Sequence, residues 1–218
     1  MGDSFNAVMA SPHGKAAFSR CGRYRWWLRR QWREEAATLL FIGLNPSSAD
    51  GSRDDPTLRR LIGFAGAWGY GAVEVVNLFA WISADPEGLR RASEPVGPRT
   101  DAWIRSRVRQ LQRSHAAAVC AAEPAVDRQG EPLETRLPLW LGWGNGGGWQ
   151  GRDHQMRLLL ARLPVRLLCL GQTASGQPRH PLYVASGRPL LPFGASWEHA
   201  PARFAAPCPA PRAATRST

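Results

Sequence analysis

Apolar residues in this chain cluster in four short runs, and the segments between them are polar or spaced as helices are. The runs are residues 37–43 (ATLLFIG), 72–77 (AVEVVN), 137–143 (LPLWLGW) and 165–170 (VRLLCL). Each is nearly continuous, as expected of strands covered on both faces. After the first run, Leu58, Leu61, Ile62, Ala65 and Trp68 recur at helical spacing. Asp55 and Pro56 open that helix with a side-chain cap and a proline at the first position, and Gly69-Tyr70-Gly71 closes it. Asp85-Pro86 starts a short turn or helix. A long basic helix is expected over 101–118, with Trp103, Ile104, Val108 and Leu111 on one face, and another over 154–163. Residues 24–32 (YRWWLRRQW) alternate only partially and read as an edge strand, where basic side chains would discourage aggregation.

Strands alternating with helices predict an α/β fold: three layers, α/β/α, around a mostly parallel four-stranded central sheet. One domain is expected over 18–193, flanked by a disordered leader (1–17) and a disordered alanine- and proline-rich tail (194–218). Residues 122–136, polar and broken by proline and glycine, read as a flexible insertion. Ligands of such folds bind beyond the carboxyl ends of the strands. Four unusual loops fall there: GLNPSSAD, NLFAW, WGNGGG and GQPRHPLY.

Composition narrows the class. With 218 residues, 44% of them hydrophobic, the chain can bury a sizeable core. No apolar run approaches the roughly 20 residues of a membrane span, and the first residues hold no signal-like apolar stretch, so a cytoplasmic protein without a membrane partner is expected. Its net charge of +11 suits a protein steered to phosphates. Yet Lys15 is the only lysine, so a general bias toward arginine explains the charge as well. The cysteines Cys21, Cys120, Cys169 and Cys208 form no close pair, so neither a metal nor a cofactor is expected. Cys169, in an apolar run, reads as a small buried hydrophobe.

Each strand-end loop has a chemical and a structural reading. Gly43-Leu44-Asn45-Pro46-Ser47-Ser48 allows close ligand approach and offers an amide, but is equally a plain turn. In Asn77-Leu78-Phe79-Ala80-Trp81, an amide reads a base edge while an aromatic stacks on its face, or an asparagine caps a strand beside core aromatics. The backbone N–H groups of Gly144-Asn145-Gly146-Gly147-Gly148 form either an anion nest or a connector. His180, between Arg179 and Pro181 in a stiff loop, is the most telling histidine; His13, His115, His154 and His199 fall in tails or on helix surfaces.

In order, G-L-N-P, a helix ending W-G-Y-G, V-V-N-L-F-A, W-G-N and G-Q-P-R-H-P-L-Y resemble a bacterial domain family of unknown function, numbered 1643, over residues 24–191. The order also resembles the uracil-DNA-glycosylase superfamily, which has a G-x-(D/N/A)-P loop, an asparagine ending the second strand and a late H-P-S loop. That resemblance implies a uracil-DNA-glycosylase-like fold and an enzyme that hydrolyses the N-glycosidic bond of a flipped, damaged or modified base. It implies that Asn45 positions water, His180 donates to the departing base, and Asn77 reads the base, with Gly43, Leu44, Pro46 and Phe79 around it. Ser47, Asn145, Gly146, Arg179 and Tyr183 would meet the nucleic-acid backbone, and Leu182 or Tyr183 would wedge into the vacated space. DNA is favoured over RNA as partner, and a monomer is expected. Departures are Ser47 in place of a glycine, Leu182 in place of the serine of H-P-S, and Thr57 in place of a stacking phenylalanine, which leaves stacking to Phe79 or Phe64. Asp54 or Asp50 would supply the base that Asn45 cannot, with Asp55 assigned to the helix cap. A non-catalytic nucleic-acid or nucleotide-binding module with the same cleft, or a hydrolase of free nucleotides or nucleosides, remain alternatives.

Overall fold

A computed structural model describes residues 8–11, 14–120 and 135–194. Eight strands join one sheet: β1 (Val8–Ser11), β2 (Gly14–Phe18), β3 (Arg25–Gln31), β4 (Thr38–Gly43), β5 (Ala72–Asn77), β6 (Leu137–Leu141), β7 (Val165–Cys169) and β8 (Leu191–Pro192). Four helices accompany them: α1 (Pro56–Ala67), α2 (Pro86–Arg91), α3 (Thr100–Cys120) and α4 (Arg152–Leu160). The strand order is β1-β2-β3-β5-β4-β6-β7-β8.

This order corrects the expected fold class. The sheet has eight strands rather than four, and it is mixed, with four antiparallel pairings (β1·β2, β2·β3, β3·β5, β7·β8) against three parallel ones (β5·β4, β4·β6, β6·β7). The uracil-DNA-glycosylase-like architecture expected with a mostly parallel four-stranded sheet is therefore not retained. Part of the expected leader forms β1 and β2, whose short sequences (VMAS, GKAAF) show little hydrophobic period. The 24–32 segment is not an edge strand, since β3 lies between β2 and β5. Its arginines are tolerated inside the sheet because they are neutralised: Arg29 pairs with Glu74 and Arg30 with Asp54. Residues 1–7, 12–13, 121–134 (most of the expected insertion) and 195–218 (nearly all of the expected tail) lie outside the described residues.

The apolar runs are covered as their composition requires. Leu40, Ile42, Val76, Leu139 and Leu141 meet Ile104, Val108 and Leu111 of α3 and Met156 and Leu160 of α4 on one face. Leu39, Phe41, Val73, Val75 and Trp140 meet Leu58, Leu61, Phe64 and Ala65 of α1 on the other. Each such large side chain contributes about 1.5–3 kcal/mol by leaving water. α1 begins where Asp55 accepts the Leu58 N–H through Oδ1 at 2.7 Å, with Pro56 at the first helical position.

Glu74, midway along β5, is fully buried, and a carboxylate there is tolerable only when paired. Arg107 of α3 grips it with two bonds, Nε to Oε2 at 2.7 Å and Nη2 to Oε1 at 2.6 Å. The Trp27 indole N–H donates to Oε2 at 2.9 Å. Among the described residues no helix is long and apolar enough to cross a membrane.

Candidate functional site

The parallel strands end together, because Gly43 pairs with Asn77, Ile42 with Leu141, and Leu141 with Cys169. Backbone bonds stitch the outgoing loops: the Leu78 N–H donates to Gly43 (2.9 Å), that of Phe79 to Leu44 (2.9 Å), that of Gly142 to Ile42 (3.0 Å) and that of Gly144 to Pro178 (2.9 Å). Two glycines let neighbouring side chains close over these strand ends. A Cβ on Gly43 would lie 2.9 Å from Asn77 Nδ2 and 3.0 Å from Phe41 Cε1. One on Gly142 would lie 2.5 Å from Phe41 Cε2 and 3.1 Å from Pro181 Cδ. The Asn77 amide, the Phe41 ring and Pro181 thus meet over Gly43 and Gly142, with His180 next to Pro181.

Asn77 is 5% exposed, and among the described residues its carboxamide makes no hydrogen bond. Neither amide atom is among the side-chain atoms sealed from solvent without a partner, so water reaches it. His180 is half-buried and caps the 3-10 turn Pro181–Tyr183, its Nδ1 accepting the Leu182 N–H at 3.4 Å. That bond leaves the ring proton on Nε2, which then acts as a donor. Burial pushes the imidazole below its ordinary pKa and the nearby Asp55 carboxylate pulls it partly back, so the ring is neutral at pH 7. Arg60 of α1 fixes the turn by donating to Pro181 O (3.5 Å), Val184 O and Ser186 Oγ (2.7 Å).

Asn45 has a different part. Its Nδ2 donates to Pro46 O (3.0 Å) and Ser83 O (2.8 Å), clamping the loop and leaving Oδ1 as the free acceptor. The three neighbouring acids divide. Asp54 is held by Arg30 Nε at 2.7 Å and is not free to act as a base. Asp50 folds its own turn, accepting the N–H groups of Ser52 (2.8 Å) and Arg53 (2.7 Å), which hold its carboxyl below the usual range. Asp55 caps α1 and is the acid whose charge reaches His180.

The other expected residues scatter. Leu44 packs on the α3 and α4 side, where Gly146 clears its methyl groups, and Pro46 is buried beneath Ser83, whose N–H its carbonyl accepts. Phe79 is fully buried against Trp149, and Phe64 against Trp68 and Trp140, so neither ring is offered to a base. Ser47 and Thr57 are half-buried. Asn145 opens a 3-10 segment and accepts from Ser175 Oγ at 2.8 Å. Arg179 is exposed, donating through Nε to Gln172 O at 3.0 Å, and Tyr183 stands 82% exposed beside the His180 ring.

The sequence reading missed Arg25. At the start of β3, beside a register shift between Ala17 and Phe18, it is buried and donates to Ala49 O at 2.6 Å. Its Nε has no partner among the described residues, and burial lowers its pKa to about 10, with Asp55 opposing. The signal available was an arginine between Tyr24 and Trp26 in an aromatic and basic run, which also fits an edge strand.

The molecule is thus a mixed-sheet α/β protein with a polar, sparsely bonded site at its parallel strand ends. Its chain belongs to the family described as "Protein of unknown function (DUF1643)", whose model matches residues 25–182. No curated protein and no solved structure matches it. Among the described residues no group of three or more histidine, cysteine, aspartate or glutamate side chains is placed to hold a metal ion.

Proposed function

We propose that the strand-end site receives a nucleobase and that the protein hydrolyses the N-glycosidic bond of a damaged or modified base in nucleic acid, DNA rather than RNA. The observation that carries this reading is the Asn77 carboxamide, which makes no hydrogen bond among the described residues yet is not sealed from solvent, at strand ends that also carry the His180 turn. An amide offers a donor and an acceptor on one plane, which suits the hydrogen-bonding edge of a base. The His180 Nε2–H suits an oxygen or nitrogen of the departing base, where charge develops as the bond breaks. Such a placed donor is worth about 3–4 kcal/mol in the transition state. Asn45 Oδ1, its amide nitrogen held by the loop, serves as an acceptor that orients water. The order of motifs resembling the uracil-DNA glycosylases supports the same chemistry. Exposed Arg179 and Tyr183 beside the imidazole suit a polymer's phosphates and bases.

The test is incubation with oligonucleotides carrying uracil, hypoxanthine, alkylated or hypermodified bases. Abasic product on at least one is expected, and its absence on all of them with folded protein ends the proposal. The commitment of Asn45 to its own loop favours a second reading, a binding module without chemistry. In that case oligonucleotide binding falls steeply with salt, survives His180→Ala, and no product forms.

A further inference from the structure

Asp55 has the local signature of a helix cap, and it is one: Oδ1 accepts the Leu58 N–H at 2.7 Å. A cap needs only that one oxygen. Oδ2 accepts no hydrogen bond among the described residues, although Asp55 is only 7% exposed, and it is not among the side-chain atoms sealed from solvent without a partner. The cap therefore leaves Oδ2 in contact with solvent and available for another use.

Its position supplies the use. α1 starts at the strand ends, since β4 runs up to the 44–55 loop that precedes it. Arg60, five residues on and so roughly 7–8 Å along the axis, donates to the carbonyls of the turn that His180 caps. Arg60 thus ties α1, at whose start Asp55 sits, to the turn that His180 caps. The charge of Asp55 is felt at the imidazole, and its other charged neighbour is the buried Arg25 guanidinium. The two acids that sequence reasoning favoured, Asp50 and Asp54, are bound elsewhere.

We infer that Asp55 is the general base of the site, with Oδ1 holding the helix and Oδ2 taking the proton of the attacking water. This rests on the glycosidic reading and assigns its missing base. Water, oriented by Asn45 Oδ1, gives a proton to Asp55 Oδ2 as its oxygen bonds to the anomeric carbon. The C–N bond breaks with its electron pair passing to the base, which leaves as an anion hydrogen-bonded to His180 Nε2–H. The proton on Asp55 then returns to the base nitrogen through solvent, so one water is consumed and free base and sugar hydroxyl are formed.

Asparagine and serine are as good as aspartate at a helix cap, so Asp55→Asn and Asp55→Ser separate the two duties of this residue. Turnover is measured for both variants and wild-type protein on whichever base-modified oligonucleotide the wild type cleaves. The expected result is a melting temperature within a few degrees of wild type, KM within about threefold, and kcat lowered about 10²- to 10⁴-fold, the usual range for a lost general base. If either folded variant keeps more than a tenth of the wild-type kcat, Asp55 is not the base, while the glycosidic reading stands. If both variants fail to fold, the carboxylate is structural and the inference is wrong. If folded wild-type protein cleaves no substrate of the panel, the glycosidic reading fails and this inference falls with it.

Discussion

Replacing Asn77 by leucine, which has nearly the same shape, tests the central observation without any substrate. In wild-type protein the carboxamide is 5% exposed and makes no hydrogen bond among the described residues. Folding therefore strips water from a polar group without full replacement, a penalty of about 1–3 kcal/mol. The site is not wholly sealed, so the lower half of that range applies. Leucine removes the penalty and adds apolar contact with the Phe41 ring beside Gly43. The net gain expected is about 1–2 kcal/mol, or roughly 2–8 °C in melting temperature for a chain of this size. Urea unfolding followed by tryptophan fluorescence gives the free energy, and calorimetry the temperature. Activity or base binding should fall at least tenfold in the same variant, the trade expected where a site is kept polar at the expense of the fold. A destabilisation above 1 kcal/mol would show that the amide has a protein partner in solution, and the base-edge role would lose its support.

Three further outcomes are expected. His180 has a folded pKa below the unfolded value of about 6.5, so its contribution to stability is present above that value and lost as pH falls through the lower folded one; the melting-temperature gap between wild type and His180→Gln should narrow from pH 7.5 to 5, and a constant gap would contradict the assigned shift. Arg107→Met strips the fully buried Glu74 of its two-bond partner, leaving Arg29 at 3.4 Å and the Trp27 N–H; a loss of about 3–5 kcal/mol in urea unfolding is expected, and under 1 kcal/mol would mean the carboxylate is not buried charged. Cys21, exposed, has a thiol pKa lowered to about 7 by its Ser19 and Arg23 neighbours, whereas burial raises that of Cys169; iodoacetamide at pH 7.2, read by peptide mass spectrometry, should alkylate Cys21 well ahead of Cys169.

Local pattern sufficed where the physics is local. The run at 38–43 is apolar on both faces because α1 covers one and α3 with α4 the other, and Asp55-Pro56 caps a helix as such a pair does. It failed where tertiary pairing decides. Nothing in GKAAF announces a strand, because its two alanines are buried by the neighbouring strands and not by size. Arg29 and Arg30 look like edge charges until Glu74 and Asp54, distant in sequence, neutralise them inside the sheet. In the candidate site, Asn77 stands out at a strand end, but Phe79 two residues on looked equally fit to stack on a base and lies in the core. Asp54 and Asp55 are adjacent, and only the course of β3 decides that one is clamped by Arg30 while the other caps α1 with its charge felt at His180.

The same arginines change what the net charge of +11 means. A basic chain suggests phosphate steering, yet around this site guanidinium groups hold backbone. Arg25 donates to Ala49 O, and Arg30 to the carbonyls of Asp50 and Arg53. Arg60 donates to Pro181 and Val184, and Arg152 to Leu78 as well as to the Asp101 carboxylate. Carbonyls just past strand ends and in turns lack ladder partners, and a planar fork of five donors can satisfy several of them from one buried side chain. Lysine, with a single rotatable ammonium, could not replace these clamps, so a chain with one lysine and many arginines suits a site built from long loops. If the site takes a nucleic acid, as proposed, phosphate contacts fall to guanidinium groups that keep free donors. Arg179, exposed and next in sequence to His180, commits only Nε to a carbonyl, that of Gln172, and its removal should lower the salt dependence of oligonucleotide binding with little effect on the fold.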